Sequence, residues 1–360
     1  MKKAYIILAD GHIFEGNFFG DDRPVTGELV FTTGMGGYIE TLTDPSYFGQ
    51  IIMQTFPLIG NYGFIPEDCE SESCFARGYI VHDQCETPSN FRSGGTVGDF
   101  LKNHGITAVC GVDTRALTLL IREHGVMNAA ITDALPDDMP EFLNNLSGYR
   151  VSGSVEAVST KKEIIFAAEG EQKYRVALYD FGHKMNIVRS LTKRGCEVTL
   201  LPFDTHAQYV LSQEFDGVML SNGPGDPADN TKVVEEIRKL FGKIPMFGIC
   251  LGHQLLALAA GAKTEKLKYG HRGVNQPVKE LSGGRVFISS QNHGYAVKGE
   301  SLEKIGAKQS FINANDGTNE GAFYPGKRAF SVQFHPEACS GPKDTEFLFD
   351  RFIKLMEEGE

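Results

Sequence analysis

No stretch of this 360-residue sequence approaches the roughly 20 apolar residues that a bilayer-crossing helix needs, which excludes a single-pass or multi-pass helical membrane protein. The start, Met1-Lys2-Lys3, leads straight into the strand-like Ala4 to Leu8 with no leader pattern, so the expected location is the cytoplasm. Paired cysteine spacing is missing too: the seven cysteines are an odd number and scattered, which argues for reduced thiols. Cys69, Cys74 and Cys85 with His82 match no common zinc spacing, and no metal site is expected. Basic residues are in deficit, 35 against 46 acidic, and the formal net charge of -11 argues against a nucleic-acid or anionic-membrane surface. Internal repeats, low-complexity tracts and a Gly-x-x-x-x-Gly-Lys-Ser/Thr phosphate loop are also absent.

What remains is an ordinary globular composition, long enough for two domains with a core each. The second half alternates strand and helix signals: Val176 to Tyr179 strand, Met185 to Lys193 helix, Glu197 to Leu201 strand, Thr231 to Phe241 helix. That order predicts an α/β domain with a doubly wound, mostly parallel sheet. After Gly261, the short pieces Gln276 to Lys279, Arg285 to Ser289 and Ala329 to Phe334 suit a mixed or antiparallel extension, and Asp344 to Glu358 suits a closing amphipathic helix. The first half reads as a smaller α+β domain. Ala4 to Leu8 and Ile13 to Phe18 flank an Asp10-Gly11 hairpin turn, Leu29 to Thr32 is a further strand, and Asp113 and Gly125 cap a helix over 114 to 124. The division is residues 1–150, a linker 151–173 marked by Ser152-Gly153-Ser154 and the polar Glu169 to Lys173, and a domain 174–360.

Chemistry concentrates at three strand ends. The apolar run Ile244 to Ile249 stops at Cys250, inside Gly248-Ile249-Cys250-Leu251-Gly252-His253-Gln254, and a helix-forming stretch follows at once. Such an elbow displays a thiol on a tight turn, where a helix N-terminus favours the thiolate. A free cysteine is as often a small buried hydrophobe, so Cys250 alone leaves both readings open. Downstream, the strand-like Ala329 to Phe334 runs into His335-Pro336-Glu337, which offers a base and a carboxylate to orient it. Residues two apart on an extended segment share a side, so His335 and Glu337 can meet. The third end is Gly217 to Leu220 running into Ser221-Asn222-Gly223-Pro224-Gly225-Asp226-Pro227, whose glycine N–H groups are unobstructed donors for a carboxylate or an oxyanion. In an open α/β sheet, all three ends face one crevice.

Together the elbow, the glycine-proline turn and the His-Pro-Glu resemble a class I glutamine amidotransferase domain, from Arg175 to the C-terminus. The resemblance implies that Cys250 attacks the side-chain amide of L-glutamine, His335 protonates the departing ammonia, Glu337 completes the triad, and a γ-glutamyl thioester is hydrolysed. It further implies glutamine contacts from Gly223, Gly225, Leu251, Gln254, Asn292, Gly294 and Tyr295. In the first half, Gly34-Met35-Gly36-Gly37-Tyr38-Ile39-Glu40, Leu42 to Tyr47, Gly60-Asn61-Tyr62-Gly63 and Gly111 to Thr118 resemble the N-terminal domain of the carbamoyl phosphate synthetase small-chain family. Through that resemblance Ser46 joins the glutamine contacts. The resemblance also implies a heterodimer with a large chain that binds ATP and Mg, higher-order assembly of such heterodimers, no cofactor in this chain, and a place in arginine or pyrimidine synthesis. Two positions depart from the family pattern: Gly36 stands where threonine is expected, and Phe311 where histidine is frequent.

Overall fold

The computed structural model describes residues 2–338 and 340–358. They divide into two compact units, 1–154 and 155–360.

In the first unit seven strands close into a barrel: in spatial order Lys3–Leu8, Ile13–Phe18, Thr107–Cys110, Gly78–Ile80, Gln50–Gln54, Val25–Thr32 and Met127–Thr132, the last pairing back onto the first. Closure is the feature missing from the α+β expectation. Alternate residues of its strands fall into two different clusters. Leu29, Ile51, Met53, Ile80 and Val109 pack in one, while Val30, Ile52, Tyr79 and Ala108 pack in the other. Strands buried on both faces carry no polar alternation, so the sequence shows only short apolar runs. The second cluster also takes Val97, Phe100 and Leu101 from the helix Val97–Asn103. The helix Thr114–His124 forms as its caps require: the Asp113 carboxylate accepts from the Ala116 N–H at 2.9 Å, and Gly125 ends it with φ +95°.

In the second unit a ten-stranded sheet holds the strands Ile164–Phe166, Cys196–Pro202, Tyr174–Asp180, Gly217–Leu220, Met246–Ile249, Ala329–Val332, Asn319–Tyr324, Lys308–Asn313, Thr264–Glu280 and Val286–Val297, in that spatial order. From Cys196–Pro202 to Ala329–Val332 the pairing is parallel, and beyond it antiparallel. The helices Ala207–Ser212, Thr231–Leu240 and Leu251–Ala260 pack into one apolar cluster, while Met185–Thr192 and Phe347–Glu357 pack into another. Stretch 151–173 is not the featureless linker its polar composition suggests. It contains the helix Ser154–Val158 and the strand Ile164–Phe166, which joins the sheet as an antiparallel edge against Cys196–Pro202. Three apolar residues suffice because pairing on one side supplies the hydrogen bonds that composition alone does not reveal. Among the described residues no helix is long and apolar enough to cross a membrane.

Candidate active site

The strand Met246–Ile249 lies between Gly217–Leu220 and Ala329–Val332, parallel to both, so the carboxyl ends of all three open on one edge of the sheet. All four of its residues are buried, as a central parallel strand requires. At its end Cys250 takes φ +52° and ψ −105°, a conformation that costs a non-glycine residue on the order of 1–3 kcal/mol. The surroundings hold it there. Its N–H donates to the Val332 carbonyl at 2.9 Å, extending the ladder by one residue, and the Gly252 N–H donates to the Ser221 carbonyl at 3.0 Å. Cys250 then serves as the first residue before the helix Leu251–Ala260, whose N-terminus therefore sits directly behind the thiol.

The flanking glycines follow from the sharpness of this turn. A Cβ on Gly248 would lie 2.7 Å from the Gly252 carbonyl oxygen, and one on Gly252 would lie 2.3 Å from the Leu220 carbonyl oxygen. Gly223, in the neighbouring turn, is tighter: a Cβ there would meet the Phe181 carbonyl oxygen at 2.1 Å and Leu251 Cδ2 at 2.9 Å. Gly225 needs its glycine for another reason, a φ of +89°.

His335 and Glu337 meet as the spacing predicts, but by a different path. The strand ends at Val332, and residues 336 and 337 form a turn that brings the Glu337 carboxylate to 2.7 Å from His335 Nδ1. The histidine backbone is fixed separately by its N–H, which donates to the Ser290 carbonyl at 2.9 Å. Both side chains are buried. With Nδ1–H donating to the carboxylate, the buried Nε2 is left without a hydrogen-bond partner among the described residues and so is available to the thiol, and Cys250 acts on the imidazole by its charge. Cys250 Sγ also approaches the Asn292 carbonyl at 3.6 Å.

Burial and the charge of Lys184 pull the His335 imidazole down, but Glu337 and Cys250 outweigh them and raise it to about 9. Burial alone would lift Glu337, yet His335 and Lys184 hold it below the ordinary carboxylate range. Because His335 is raised in the folded chain, its stabilising contribution is complete below about pH 6.5 and disappears as pH rises through about 9. The contribution of Glu337, which is lowered, is present above about pH 4.5 and disappears as pH falls below that. An NMR titration should therefore place the His335 transition near pH 9, and Glu337→Gln should move it downward. A His335 transition that stays put in that variant would refute the pairing.

The remaining sequence-derived residues fall unevenly. Leu251 packs on the Gly223 turn, and Gln254 Nε2 donates to the Tyr295 carbonyl at 2.8 Å and to Gln333 Oε1 at 2.9 Å. Asn292, Gly294 and Tyr295 lie on the strand Val286–Val297 that passes the thiol. Ser46 belongs to the first unit, in the short helix Pro45–Tyr47, where its N–H donates to the Asp44 carboxylate at 2.9 Å. Asp44 is the cap of that helix and Ser46 the residue whose N–H it satisfies.

Sequence reading missed Lys184, whose Nζ lies 3.7 Å from Glu337 Oε1 with the side chain only 10% exposed. The loop carrying it is stitched to the glycine turn. The Lys184 N–H donates to Asn222 Oδ1 at 3.1 Å, Asn222 Nδ2 donates to the Gly182 carbonyl at 2.9 Å, and the Phe181 N–H donates to Ser221 Oγ at 2.9 Å. The signal was there: Lys184 follows the end of Tyr174–Asp180, which is parallel to Gly217–Leu220 and so opens on the same edge. His253, only three places after the thiol, is no rival base. It is buried with Nδ1 at 2.8 Å from Ser331 Oγ, and burial drops it to about 3, leaving it neutral.

Cys69, Cys74 and Cys85 are free of disulfides, and the one group with metal-ligand spacing among the described residues lies elsewhere, at His271, His293 and Glu320.

Comparison with known proteins gives two family matches: "Glutamine amidotransferase class-I" over residues 177–355 and "Carbamoyl-phosphate synthase small chain, CPSase domain" over residues 6–131. A carbamoyl phosphate synthase small chain from Listeria innocua is 50% identical over 100% of this chain and 99% of its own. One from Oceanobacillus iheyensis is 47% identical over 99% of this chain and 96% of its own. Among solved structures, a glutamine amidotransferase from Thermotoga maritima is 21% identical with a TM-score of 0.36, over 51% of this chain and 84% of that one.

Proposed function

Since this chain belongs to the carbamoyl phosphate synthase small-chain family, we propose that the Cys250 site hydrolyses L-glutamine and passes the ammonia to a large chain. One observation carries this reading: a thiol on a glycine-flanked elbow lies within reach of an imidazole that is itself held by a carboxylate at 2.7 Å. The Cys250 thiol gives its proton to His335 Nε2 and the thiolate sulfur bonds to the glutamine Cδ carbonyl carbon; the C–N bond of the tetrahedral intermediate then breaks as the nitrogen takes that proton from His335 Nε2 and leaves as ammonia. His335, now neutral, accepts a proton from water as the water oxygen bonds to the thioester carbon. The C–S bond then breaks, and glutamate departs. Glu337 holds the ring in one orientation throughout, and Lys184 holds Glu337.

The glutamine backbone and the developing oxyanion are bound by Gly223, Gly225, Leu251, Gln254, Asn292, Gly294 and Tyr295, and the family resemblance adds Ser46 to these contacts. N–H groups of the Gly223 turn and of the helix start at Leu251 suit the oxyanion, because they are fixed donors at a positive helix end. The sheet, parallel at its centre with helices in clusters on separate sides, supports a doubly wound description.

Ammonia released into neutral water is mostly protonated and no longer a nucleophile, so the product is useful only if handed on directly. The ATP- and Mg-dependent steps belong to the large chain in a cytoplasmic heterodimer, and the carbamoyl phosphate made there feeds arginine or pyrimidine synthesis. This chain itself carries no cofactor.

Treatment with a diazoketone analogue of L-glutamine should leave one adduct per chain, on Cys250, by peptide mass spectrometry. A chain that kept the fold but lost the chemistry would show none there. Strong glutaminase turnover by the isolated chain, unaffected by a large chain, would instead indicate a free-standing hydrolase.

A further inference from the structure

A second polar cluster lies behind the strand that passes the thiol. His271 pairs with His293 and Arg272 with Asn292 in the ladder between Thr264–Glu280 and Val286–Val297. The His271 ring meets carboxylates on both sides: Nε2 is 2.8 Å from Asp316 Oδ2, and Nδ1 is 3.3 Å from Glu320 Oε1. Asn313 Nδ2 also approaches Nδ1 at 3.4 Å, so it is the two flanking carboxylates that favour the imidazolium form of His271. The neighbours agree. Burial lowers His271, but Glu320 and Asp316 raise it past its ordinary value, while burial and the charge on His271 keep His293 neutral. Glu320 is wholly buried, which raises its carboxyl, while His271 pulls the other way and Asn313 Nδ2 donates a further hydrogen bond at 3.2 Å.

His293 is the link to the site. Its ring stands perpendicular to that of His271 with centroids 5.0 Å apart, and its Nδ1–H donates to the Tyr295 carbonyl at 2.8 Å, with Nε2 3.1 Å from the Gln291 side-chain amide, whose NH2 donates to it once the amide is turned over. Residues 292, 294 and 295, the proposed glutamine contacts, are those held between.

We infer that Asp316, His271 and Glu320 form a positioning clamp: an imidazolium held between two carboxylates ties the hairpin of Lys308–Asn313 and Asn319–Tyr324 to the strand Thr264–Glu280, whose ladder partner carries Asn292, Gly294 and Tyr295, and so sets the glutamine-binding edge without touching substrate. The clamp rests on the glutaminase reading of the Cys250 site. A metal ion fits the cluster poorly. The possible ligand atoms of His293 and Glu320 are 4.0 Å apart, wider than the roughly 3.4 Å between tetrahedral ligands at zinc bond lengths, and His271 already has a carboxylate at each ring nitrogen.

The test uses the complex with its large chain and steady-state glutamine hydrolysis. His271→Gln leaves a buried carboxylate without its cation and should raise KM for glutamine about tenfold, with kcat changed less than about threefold. Asp316→Asn, at a half-exposed position that does not threaten folding, should raise KM about threefold in the same sense. The double variant His271→Gln, Glu320→Gln removes both buried charges and should recover part of the loss. Unchanged KM in both single variants, an equal fall in kcat and kcat/KM, or no recovery in the double variant would overturn the clamp. So would one equivalent of bound metal in the purified complex. A wild-type complex without glutaminase activity would overturn the underlying reading, a result distinguishable from all of these.

Discussion

Cys250→Ser abolishes glutamine-dependent carbamoyl phosphate synthesis by the complex, by on the order of 10⁴-fold or more, while synthesis from added ammonia continues at the wild-type rate. The first half of this expectation follows from chemistry. An alkoxide is far less available than a thiolate at neutral pH, and loss of a covalent nucleophile removes the whole two-step route rather than one stabilising contact. The second half follows from the division of labour: the ATP-dependent steps need ammonia, not its source. The substitution is small enough to leave the elbow standing. Its backbone is held by hydrogen bonds from Cys250 N–H and Gly252 N–H that do not involve the side chain. A serine hydroxyl also finds the Asn292 carbonyl that the thiol already approaches. Parallel assays with glutamine and with ammonium salt measure both halves. Glutamine-dependent turnover near the wild-type rate would remove Cys250 from the role of nucleophile, and loss of the ammonia-dependent rate would show that the variant had damaged the complex instead.

Gly223→Ala should have the next largest effect, for a purely steric reason. The added methyl would lie 2.1 Å from the Phe181 carbonyl oxygen, and although the Leu251 side chain at 2.9 Å can give way, the Phe181 backbone cannot do so without moving its loop. Either the glycine turn or the loop through Lys184 must shift by about 1 Å, and displacements of that size cost on the order of 100-fold in rate when they move groups around a reacting centre. Stability should fall by about 1–3 kcal/mol, the usual penalty of overpacking. Gly306→Ala is the matched control. It has a positive φ, +76°, but open space around the position, so it bears backbone strain without a collision. Glutaminase kinetics and thermal melts of the two variants separate the effects. Equal activity in both would mean that the Gly223 turn does not shape the site.

The elbow was readable because its demands are local. A strand that ends at a cysteine between two glycines states both the turn and the reason for it, and the close approaches at Gly248 and Gly252 are the same statement in distances. His335 and Glu337 were readable as partners although the extended geometry expected of them gives way to a turn after Val332. Spacing constrained the pair more tightly than conformation did. Lys184 was harder, since a lysine after a strand is most often a solvated residue, and only the parallel register places it beside Glu337. The long strand Thr264–Glu280 shows another limit. Only Gln276 to Lys279 stood out, because the rest is exposed in part and broken by register shifts after Lys266 and Gly273, which erase a two-residue period. The barrel of the first unit was hidden for the opposite reason: its central strands, such as Gln50–Gln54 and Gly78–Ile80, are apolar on both faces, and Gly78–Ile80 has only three residues.

That barrel has a consequence in time as well as in space. Met127–Thr132 lies between Lys3–Leu8 and Val25–Thr32 and hydrogen-bonds to both, although more than a hundred residues of chain separate it from the first. During synthesis those two early strands emerge with their facing edges open, and nothing made before residue 127 can cover them. Closure therefore waits on a late, long-range pairing of the kind that slows folding and leaves unpaired strands exposed to misassociation. The helix Thr114–His124, capped at both ends and complete just before the closing strand, delivers Leu117 and Ile121 to the same apolar cluster as Ile6, Leu29 and Ile131. It gives the nascent chain an apolar surface on which the two open strands can be held until their last neighbour arrives.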